Sequence, residues 1–467
     1  MPAMTSTAEA DLIIVGAGTC GLMAAIFAAR RSNRLCLIEA SAELGGSLLV
    51  GHGQISAAGT RLQAHRGITD TPQLHYEDVM RISKGTIDAE LAHLAIFNAA
   101  ATFDWIEACG YELRPESPSL GAVHEPYRVP RYYTGKEWGK SLAKVLVKSV
   151  REQIDRGRID LRLTTKVVSL LQDARGAVEG VETEDAAGQR RQIRGRSVLL
   201  ASGGYAANPA LFAELNGVPL YARAAYTFNQ GKGLELGIAA GGYVFGSILE
   251  DDRFPSPILA RANTYPDSRP PWEIYVNSKG QRFVREDEPS VDVREHALLR
   301  QADLRFWIIF DQSIFERAPP IVYDWSREAL QQAFNSRAMF RKAPTLAALA
   351  SAIGLPPAAL LRTVDEYNAG RLCGHDALGR RHLPASIDTG PFYAIRLQGS
   401  SVTSTVGLSV DPQLRVIRRD GTPIPNLYAA GEILGSGQLQ GDAFVGGMMA
   451  MPALVFGRLL GESMIAL

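Results

Sequence analysis

The chain is short of the features that mark several protein classes. Its 467 residues hold four cysteines, Cys20, Cys36, Cys109 and Cys373, with no C-x-x-C pair and no zinc-ligand spacing. That excludes a disulfide scaffold and a structural metal site read from spacing. Net charge is lacking as well. Lys plus Arg and Asp plus Glu number 49 each, so no field of one sign draws the chain to nucleic acid or to an anionic membrane surface. No apolar run reaches the roughly 18–20 residues of a membrane span. Residues 1–10 have neither a basic start nor an apolar core, so no signal peptide is expected. Low-complexity tracts and internal repeats are missing too. With 46% apolar residues, the remaining class is an ordinary soluble globular protein, expected in a reducing cytoplasm. It is too long for one core, so two or three domains are expected.

What the sequence does contain begins at DLIIVGAGTCG (Asp11–Gly21). A buried-strand run, Leu12–Val15, leads into Gly16, Gly18 and Gly21, and an Ala-rich helical segment, Leu22–Arg31, follows. A second apolar run, Leu35–Ile38, then closes on Glu39. This is a strand–turn–helix–strand unit with G-x-G-x-x-G at the turn and an acid at the end of the second strand. Gly16 suits the tight turn, Gly18 a close approach of backbone N–H groups to a pyrophosphate, and Gly21 close helix–strand packing. The helix N-terminus favours the phosphate charge, and Glu39 is placed to accept hydrogen bonds from a ribose. Cys20 and Cys36 lie inside this unit and read as small buried hydrophobes.

Further along, Gly45–Thr60 is a Gly- and Ser-rich loop able to wrap a second part of a ligand with backbone donors. Residues 88–109 and Ser141–Arg156 read as helices, flanking an aromatic and basic loop, His124–Gly139. Short strands are expected from about 160 to 201, ending in LLASGGYAANP (Leu199–Pro209) with a close-approach turn at Gly203-Gly204. Thr227–Gly242 reads as a loop and an amphipathic helix. A composition shift near 245 introduces charge, proline and aromatics. The hairpin-like Ile274–Val284, a strand at Phe306–Phe310 and two short helices lie in this stretch. The Asp251, Asp252, Arg253 cluster within it reads as a solvated turn. Strands are expected again at Ser404–Val410, Leu414–Ile417 and Asn426–Ile433, before a final Gly-bounded helix, Gly446–Glu462.

Five of these segments, in this order, resemble the fumarate reductase/succinate dehydrogenase flavoprotein family, which includes the 3-ketosteroid dehydrogenases. They are GAGTCG with Glu39, Gly45–Ser47, LLASGGYAANP, IYVNSKGQRFVRE, and DGTPIPNLYAAGEI with its terminal GG-helix. The resemblance implies an α/β fold: a Rossmann-like FAD-binding domain, discontinuous in sequence, with an inserted α+β capping domain. The expected parts are 1–234 and 386–467 for the FAD-binding domain and 235–385 for the insertion. It further implies non-covalent FAD held by Gly16, Gly18, Cys20, Gly21, Glu39 and Ala40 at the adenosine and pyrophosphate. Gly45, Gly46, Ser47 and Gly53 fall on the phosphate–flavin side, with Val168 at the adenine through its backbone. Ala201, Ser202 and Gly203 lie along the dinucleotide, and Gly431 and Glu432 at the ribityl chain. Gly447, Met448 and Met449 face the pyrimidine edge of the ring, where a helix N-terminus stabilises the charge of a reduced flavin. His52 stands at an offset that does not match the family's flavin-linking His.

The departures bear on substrate. Where fumarate-type members hold a dicarboxylate with a His and an Arg, this chain has Thr403 and Phe444, and the Tyr that steroid members carry before the final Gly turn also falls at Phe444. Where the family places its proton-donating Arg or Tyr, the nearest residue is Ser290, with Arg294 four residues on. Each lost charge-assisted hydrogen bond is worth about 1.5–3 kcal/mol, which disfavours fumarate and succinate. Arg294 is the first candidate for the acid/base, with His296 beside it and Tyr133 as a phenol able to polarise a ketone. For each, a surface or packing role competes. Ser290, Thr403 and Phe444 are the candidate substrate-pocket residues, and no metal is expected. The expected activity is hydride transfer between flavin N5 and a carbon–carbon bond next to a carbonyl. The expected substrate is a neutral or apolar small molecule, such as a cyclic ketone or steroid-like compound, and the electron donor or acceptor is unidentified. The alternatives are a flavin monooxygenase, suggested by Gly441-Asp442-Ala443, and a flavin-holding electron-transfer subunit. No second nucleotide-binding unit is found.

Overall fold

The structure, a computed structural model, describes residues 9–121, 124–217, 219, 225–246, 270–319, 321–322, 325–399, 401 and 403–467. The Asp251, Asp252, Arg253 cluster and the first eight residues lie outside these. The chain forms two compact units. The first takes the described residues of 9–217, 225–246 and 403–467, and the second residue 219 and those from 270 to 401. The positions 235 and 385, where composition suggested boundaries, fall inside the first and second unit respectively.

The first unit is built on a parallel sheet. Its strands are β1 (Ala10–Val15), β2 (Leu35–Ile38), β3 (Ile159–Arg162), β4 (Lys166–Gln172), β5 (Val178–Glu184), β6 (Arg190–Leu200), β7 (Arg415–Ile417) and β8 (Pro423–Ala429). The order along the main path is β7-β8-β6-β1-β2-β3. Neighbours from β8 to β3 run parallel, with Ile13 opposite both Cys36 and Val198. All six residues of β1 are buried, and Leu12–Val15 form the unbroken apolar run expected of a parallel strand covered on both faces. The β4–β5 hairpin joins antiparallel to β6. Pairing of β6 with β8 brings chain from either side of residues 270–401 into one sheet.

Helix α1 (Thr19–Ala28) is buried from Cys20 to Ala28, because a second helix, α2 (Ala450–Leu459), lies against it. Glycine makes that approach possible. A Cβ at Gly457 would come within 2.4 Å of Cys20 O, and one at Gly461 within 2.4 Å of Ala24 O. Two local expectations change. The helix read over 88–109 is two helices, Ala89–Phe97 and Ala99–Ala108. They break at Asn98, whose side-chain amide donates back to Leu94 O and competes with the helix ladder. The strand read over 404–410 shortens to Gly407–Leu408. Its earlier backbone groups bond instead to Ser436 N, Gly437 N and the Tyr205 hydroxyl.

The second unit has, among the described residues, a four-stranded antiparallel sheet. Its order is Ile274–Val276, Arg305–Asp311, Phe392–Gln398, Phe340–Ala343. Helices Val291–Leu299, Arg327–Ser336, Leu346–Ala352 and Pro357–Cys373 accompany it. Its core includes Ile308, Ile309, Phe310, Leu349, Leu360 and Tyr367. A buried ion cluster ties the Ile274–Val284 hairpin to the 376–380 loop: Arg282 pairs with Glu286 and Asp376, and Arg380 with Glu286 at 3.4 Å. The ring of Tyr367 lies 5.4 Å from the Arg282 guanidinium and 5.3 Å from that of Arg380.

Candidate functional site

The three glycines of the first turn behave differently from one another. Gly16 has φ +103°, and a Cβ there would sit 2.5 Å from Ala201 O. A Cβ at Gly21 would sit 1.9 Å from Gly16 O, so both positions are closed by the protein's own backbone. Around Gly18 a Cβ would meet nothing within 4 Å. The first and third glycines therefore serve turn and packing, while the second faces open space at the N-terminus of α1, the place a phosphate would take. Gly45 N donates to Ala17 O at 2.9 Å. Gly46, at φ +54°, brings its would-be Cβ within 3.1 Å of Gly18 Cα, so the two glycine turns share one wall. Glu39 closes the end of β2. Its carboxylate accepts from Ala17 N and Ser41 N, both at 2.8 Å, which fixes its head beside the turn and leaves lone pairs for a further donor.

Chain segments far apart in sequence meet at the next part of the cradle. Asn229 Nδ2 donates to Ser47 Oγ at 3.2 Å and lies 3.3 Å from Glu432 Oε2. Ser404 donates to Glu432 Oε1 from its N–H at 3.1 Å and its hydroxyl at 3.2 Å. The same hydroxyl accepts from Tyr205 N at 2.6 Å. Burial raises the Glu432 carboxyl above its ordinary range, and the bonds from Ser404 and Asn229 oppose that rise. Gly203 and Gly204 are required here. Cβ atoms would come within 2.8 Å of Asn229 Oδ1 and 2.0 Å of Ser404 Oγ. The Ser202 hydroxyl is buried with no partner among the described residues, an orphaned donor and acceptor in the cradle wall. Val168 sits where the β4–β5 pairing jumps from Val167 opposite Thr183 to Ser169 opposite Glu182. The extra residue of such a bulge has its backbone groups out of the ladder, as a backbone contact to a base requires.

Other expected cofactor residues divide into two groups. Ala201 continues β6 by donating to Val15 O. Ala40 is half-buried next to Glu39. Gly447, at φ +81°, places its would-be Cβ 2.4 Å from Ser56 N, and Met448 is buried beside it while Met449 caps α2. In contrast, Gly53 is explained by packing, since its Cβ would meet Gly139 Cα at 2.4 Å. Cys20 and Gly431 face each other, with a would-be Gly431 Cβ 3.2 Å from Cys20 Cβ. Burial pushes the Cys20 thiol up to about 12, so it is an inert packing group. His52 stacks on Trp138 at 4.5 Å.

The candidate catalytic and pocket residues lie in both units. In the first, Tyr133 has no exposed surface. Its phenol is bonded to Thr60 Oγ1 at 2.8 Å and its ring packs on Phe103 at 4.1 Å. Phe444 is half-buried with its ring 4.3 Å from that of His124, and Thr403 is half-buried next to Ser404. In the second unit, Ser290 caps helix Val291–Leu299, its hydroxyl accepting from Val293 N at 3.3 Å. Arg294 and His296 are half-buried on that helix. His296 Nδ1 lies 2.6 Å from Asp292 O, so Nδ1 carries the proton, a carbonyl being unable to donate. Asn229 and Ser404 were not singled out from sequence. The one hint for Asn229 was its place in the TFNQGKG loop before Gly231.

FAD fits this cradle on the structure's own terms: an open second glycine at a helix N-terminus, an orphaned buried hydroxyl at Ser202, and a bulge at Val168. The FAD binding domain family matches residues 11–443. A probable fumarate reductase of Shewanella frigidimarina is 26% identical over 97% of this chain and 74% of its own length. A 3-oxosteroid 1-dehydrogenase of Mycobacterium tuberculosis is 24% identical over 97% of both chains. An open conformation of a flavocytochrome c3 fumarate reductase superposes with a TM-score of 0.72 at 24% identity, covering 99% of this chain and 79% of that one. Among the described residues no helix is long and apolar enough to cross a membrane. The chain thus belongs to the FAD binding domain family, as an FAD-dependent dehydrogenase or reductase related to the fumarate reductases and 3-oxosteroid dehydrogenases.

Proposed function

We propose that the protein moves a hydride to or from a carbon–carbon bond next to a carbonyl, on a neutral or largely apolar small molecule rather than on fumarate or succinate. The observation that carries this reading is Phe444. Its aromatic ring, packed on His124, stands just before the Gly446-Gly447 turn, at the position where the resemblance to fumarate-type members implies Arg. A ring there offers apolar contact and no charge-assisted hydrogen bond to a carboxylate.

When bound, FAD supplies the two-electron chemistry, taking or giving a hydride at N5. The chain's own residues bind and orient it without a covalent link. The open turn at Gly18 and the backbone of Gly45 and Gly46 hold the pyrophosphate. Glu39 holds the adenosine ribose, and the Val168 bulge the adenine edge. Ser47, Ser202, Asn229 and Glu432 hold the chain between phosphate and ring. At the Gly447–Met449 turn the Met448 N–H is taken by Val445 O, so the Gly447 N–H and the positive end of α2 would meet the pyrimidine edge. Arg294 is assigned the acid/base role opposite the hydride, with His296 as the neighbouring titratable group. Tyr133, whose phenol is held by Thr60, is assigned to packing. The remaining participants are a small-molecule substrate and a separate electron donor or acceptor.

The test is anaerobic mixing of the FAD-loaded protein with cyclic ketones, steroids and dicarboxylates while the visible flavin band is followed. The same panel, with enones and fumarate, is offered to the dithionite-reduced protein. Bleaching by a ketone or reoxidation by an enone is expected, and loss of both in Arg294→Ala would support its role. A response to succinate or fumarate alone would sink the substrate reading.

A further inference from the structure

The turn at Gly446-Gly447 is held from behind by one phenol. Tyr127 is 3% exposed, and its hydroxyl donates to Gly446 O. Burial pushes that hydroxyl's pKa well above its usual range, so it stays protonated and able to donate at neutral pH. In a trans peptide the C=O and the following N–H point in opposite directions. Fixing the Gly446 carbonyl on Tyr127 therefore aims the Gly447 N–H the other way. That N–H meets no protein acceptor among the described residues. Bonding at the carbonyl also polarises the peptide and strengthens its N–H as a donor.

Tyr127 itself has little freedom. The Arg131 guanidinium lies 5.3 Å from its ring centroid, and the His75 ring meets it edge-on at 5.4 Å. Arg131 is in turn clamped between Asp70, at 2.7 Å, and Asp78, at 2.8 Å, with all three side chains fully buried. The 127–131 loop is thus a rigid mount. Gly446 also packs closely on the next residue of that loop, since a Cβ there would meet the Tyr132 ring at 3.0 Å.

We infer that Tyr127 is a positioning residue for the cofactor's redox chemistry. By holding the Gly446 carbonyl it aims the Gly447 N–H at the pyrimidine edge of FAD and so raises the flavin's reduction potential. The inference rests on the proposed placement of that edge at this turn.

Two measurements separate the inference from that placement. FAD labelled with carbon-13 at C2 is loaded into the native protein and into Tyr127→Phe. In the native protein the C2 resonance is expected to move from its free-FAD position in the direction of a stronger hydrogen bond. If it does not, the placement fails and the inference with it. In Tyr127→Phe the resonance is expected to return toward the free value. The midpoint potential against a reference dye should fall by the equivalent of a tenfold change in the reduction equilibrium, ~30 mV for two electrons. A native-like resonance and potential in Tyr127→Phe would overturn the role of Tyr127 while leaving the placement intact. If the Phe variant does not fold, 3-fluorotyrosine at 127 keeps the phenol and makes it a stronger donor. It should then raise the potential, and an unchanged value would count equally against the inference.

Discussion

At the scale of single residues, the glycine turn separates folding from binding. A Cβ at Gly21 would press on Gly16 O at 1.9 Å, whereas one at Gly18 would meet no protein atom within 4 Å. Gly21→Ala is therefore expected to lower the melting temperature of the FAD-free protein, with a cost of several kcal/mol in a helix that cannot back away. Gly18→Ala should leave that melting temperature within a degree or two and weaken FAD binding at least tenfold, measured by fluorescence titration. Equal stability losses in the two variants would contradict the division. The motif and Glu39 were legible in sequence because they are a local pattern with a fixed spacing. Asn229 was not, since nothing within its own segment shows that it will meet Ser47 and Glu432.

His75 is a second residue that sequence could not mark. It lies wholly buried, with neither ring nitrogen bonded among the described residues, and burial, aided by the Arg131 charge, lowers its pKa to about 3. Unfolded, it would titrate near ~6.5. Between these values the unfolded chain binds the extra proton, so stability is full above ~6.5 and falls as pH drops toward 3. One such group contributes a slope of ~1.4 kcal/mol per pH unit. Urea melts of the native protein and His75→Leu from pH 7 to pH 4.5 should show the variant losing less stability over that range. Parallel curves would contradict a neutral buried imidazole.

At the scale of elements, the strands were more legible than the loops that join them. The runs Leu12–Val15, Leu35–Ile38 and Leu199–Leu200 read directly as buried parallel strands because sheet burial leaves an unbroken apolar pattern. The helix break at Asn98 and the shortening of the 404–410 strand depend on hydrogen bonds to specific partners, and periodicity does not record those. The His124–Gly139 loop shows the same limit. Nothing in its basic and aromatic composition marks a buried charge, yet Arg131 is a fully buried ion between Asp70 and Asp78. Breaking a buried pair by removing one partner costs about 3–5 kcal/mol, so Arg131→Met should lower unfolding free energy by about that much. Replacing Asp70 with Leu in the same background should recover part of it. The exposed Lys144–Glu137 pair provides the contrast, with Lys144→Ala expected to leave the unfolding free energy nearly unchanged. Similar losses for Arg131→Met and Lys144→Ala would show that the clamp does not hold the loop.

At the scale of the whole molecule, the cradle is assembled from segments that the sequence scatters over more than four hundred residues. Gly18, Gly46, Ser202, Asn229, Glu432 and Gly447 all belong to the first unit, whose chain is interrupted by the second. The parallel pairing of β6 with β8 carries the consequence, since it sets Leu200 beside Ala429 and so brings the Ser202–Gly204 turn to Glu432. A ligand that binds the folded state alone stabilises it by RT ln(1 + [L]/Kd), about 2.7 kcal/mol at a hundredfold excess over Kd. That stabilisation should appear wherever the ligand holds chain. Hydrogen exchange with and without FAD is therefore expected to slow at residues 16–21, 45–49, 201–204, 430–434 and 446–450 together. The central strands of the second unit's sheet, Arg305–Asp311 and Phe392–Gln398, have their own core and should exchange alike in both states. Protection limited to residues 10–40 would mean that the first motif holds the cofactor alone. In that case the return of the chain at β8 would serve only the sheet, and neither Glu432 nor the Gly446-Gly447 turn would have a part in holding the flavin.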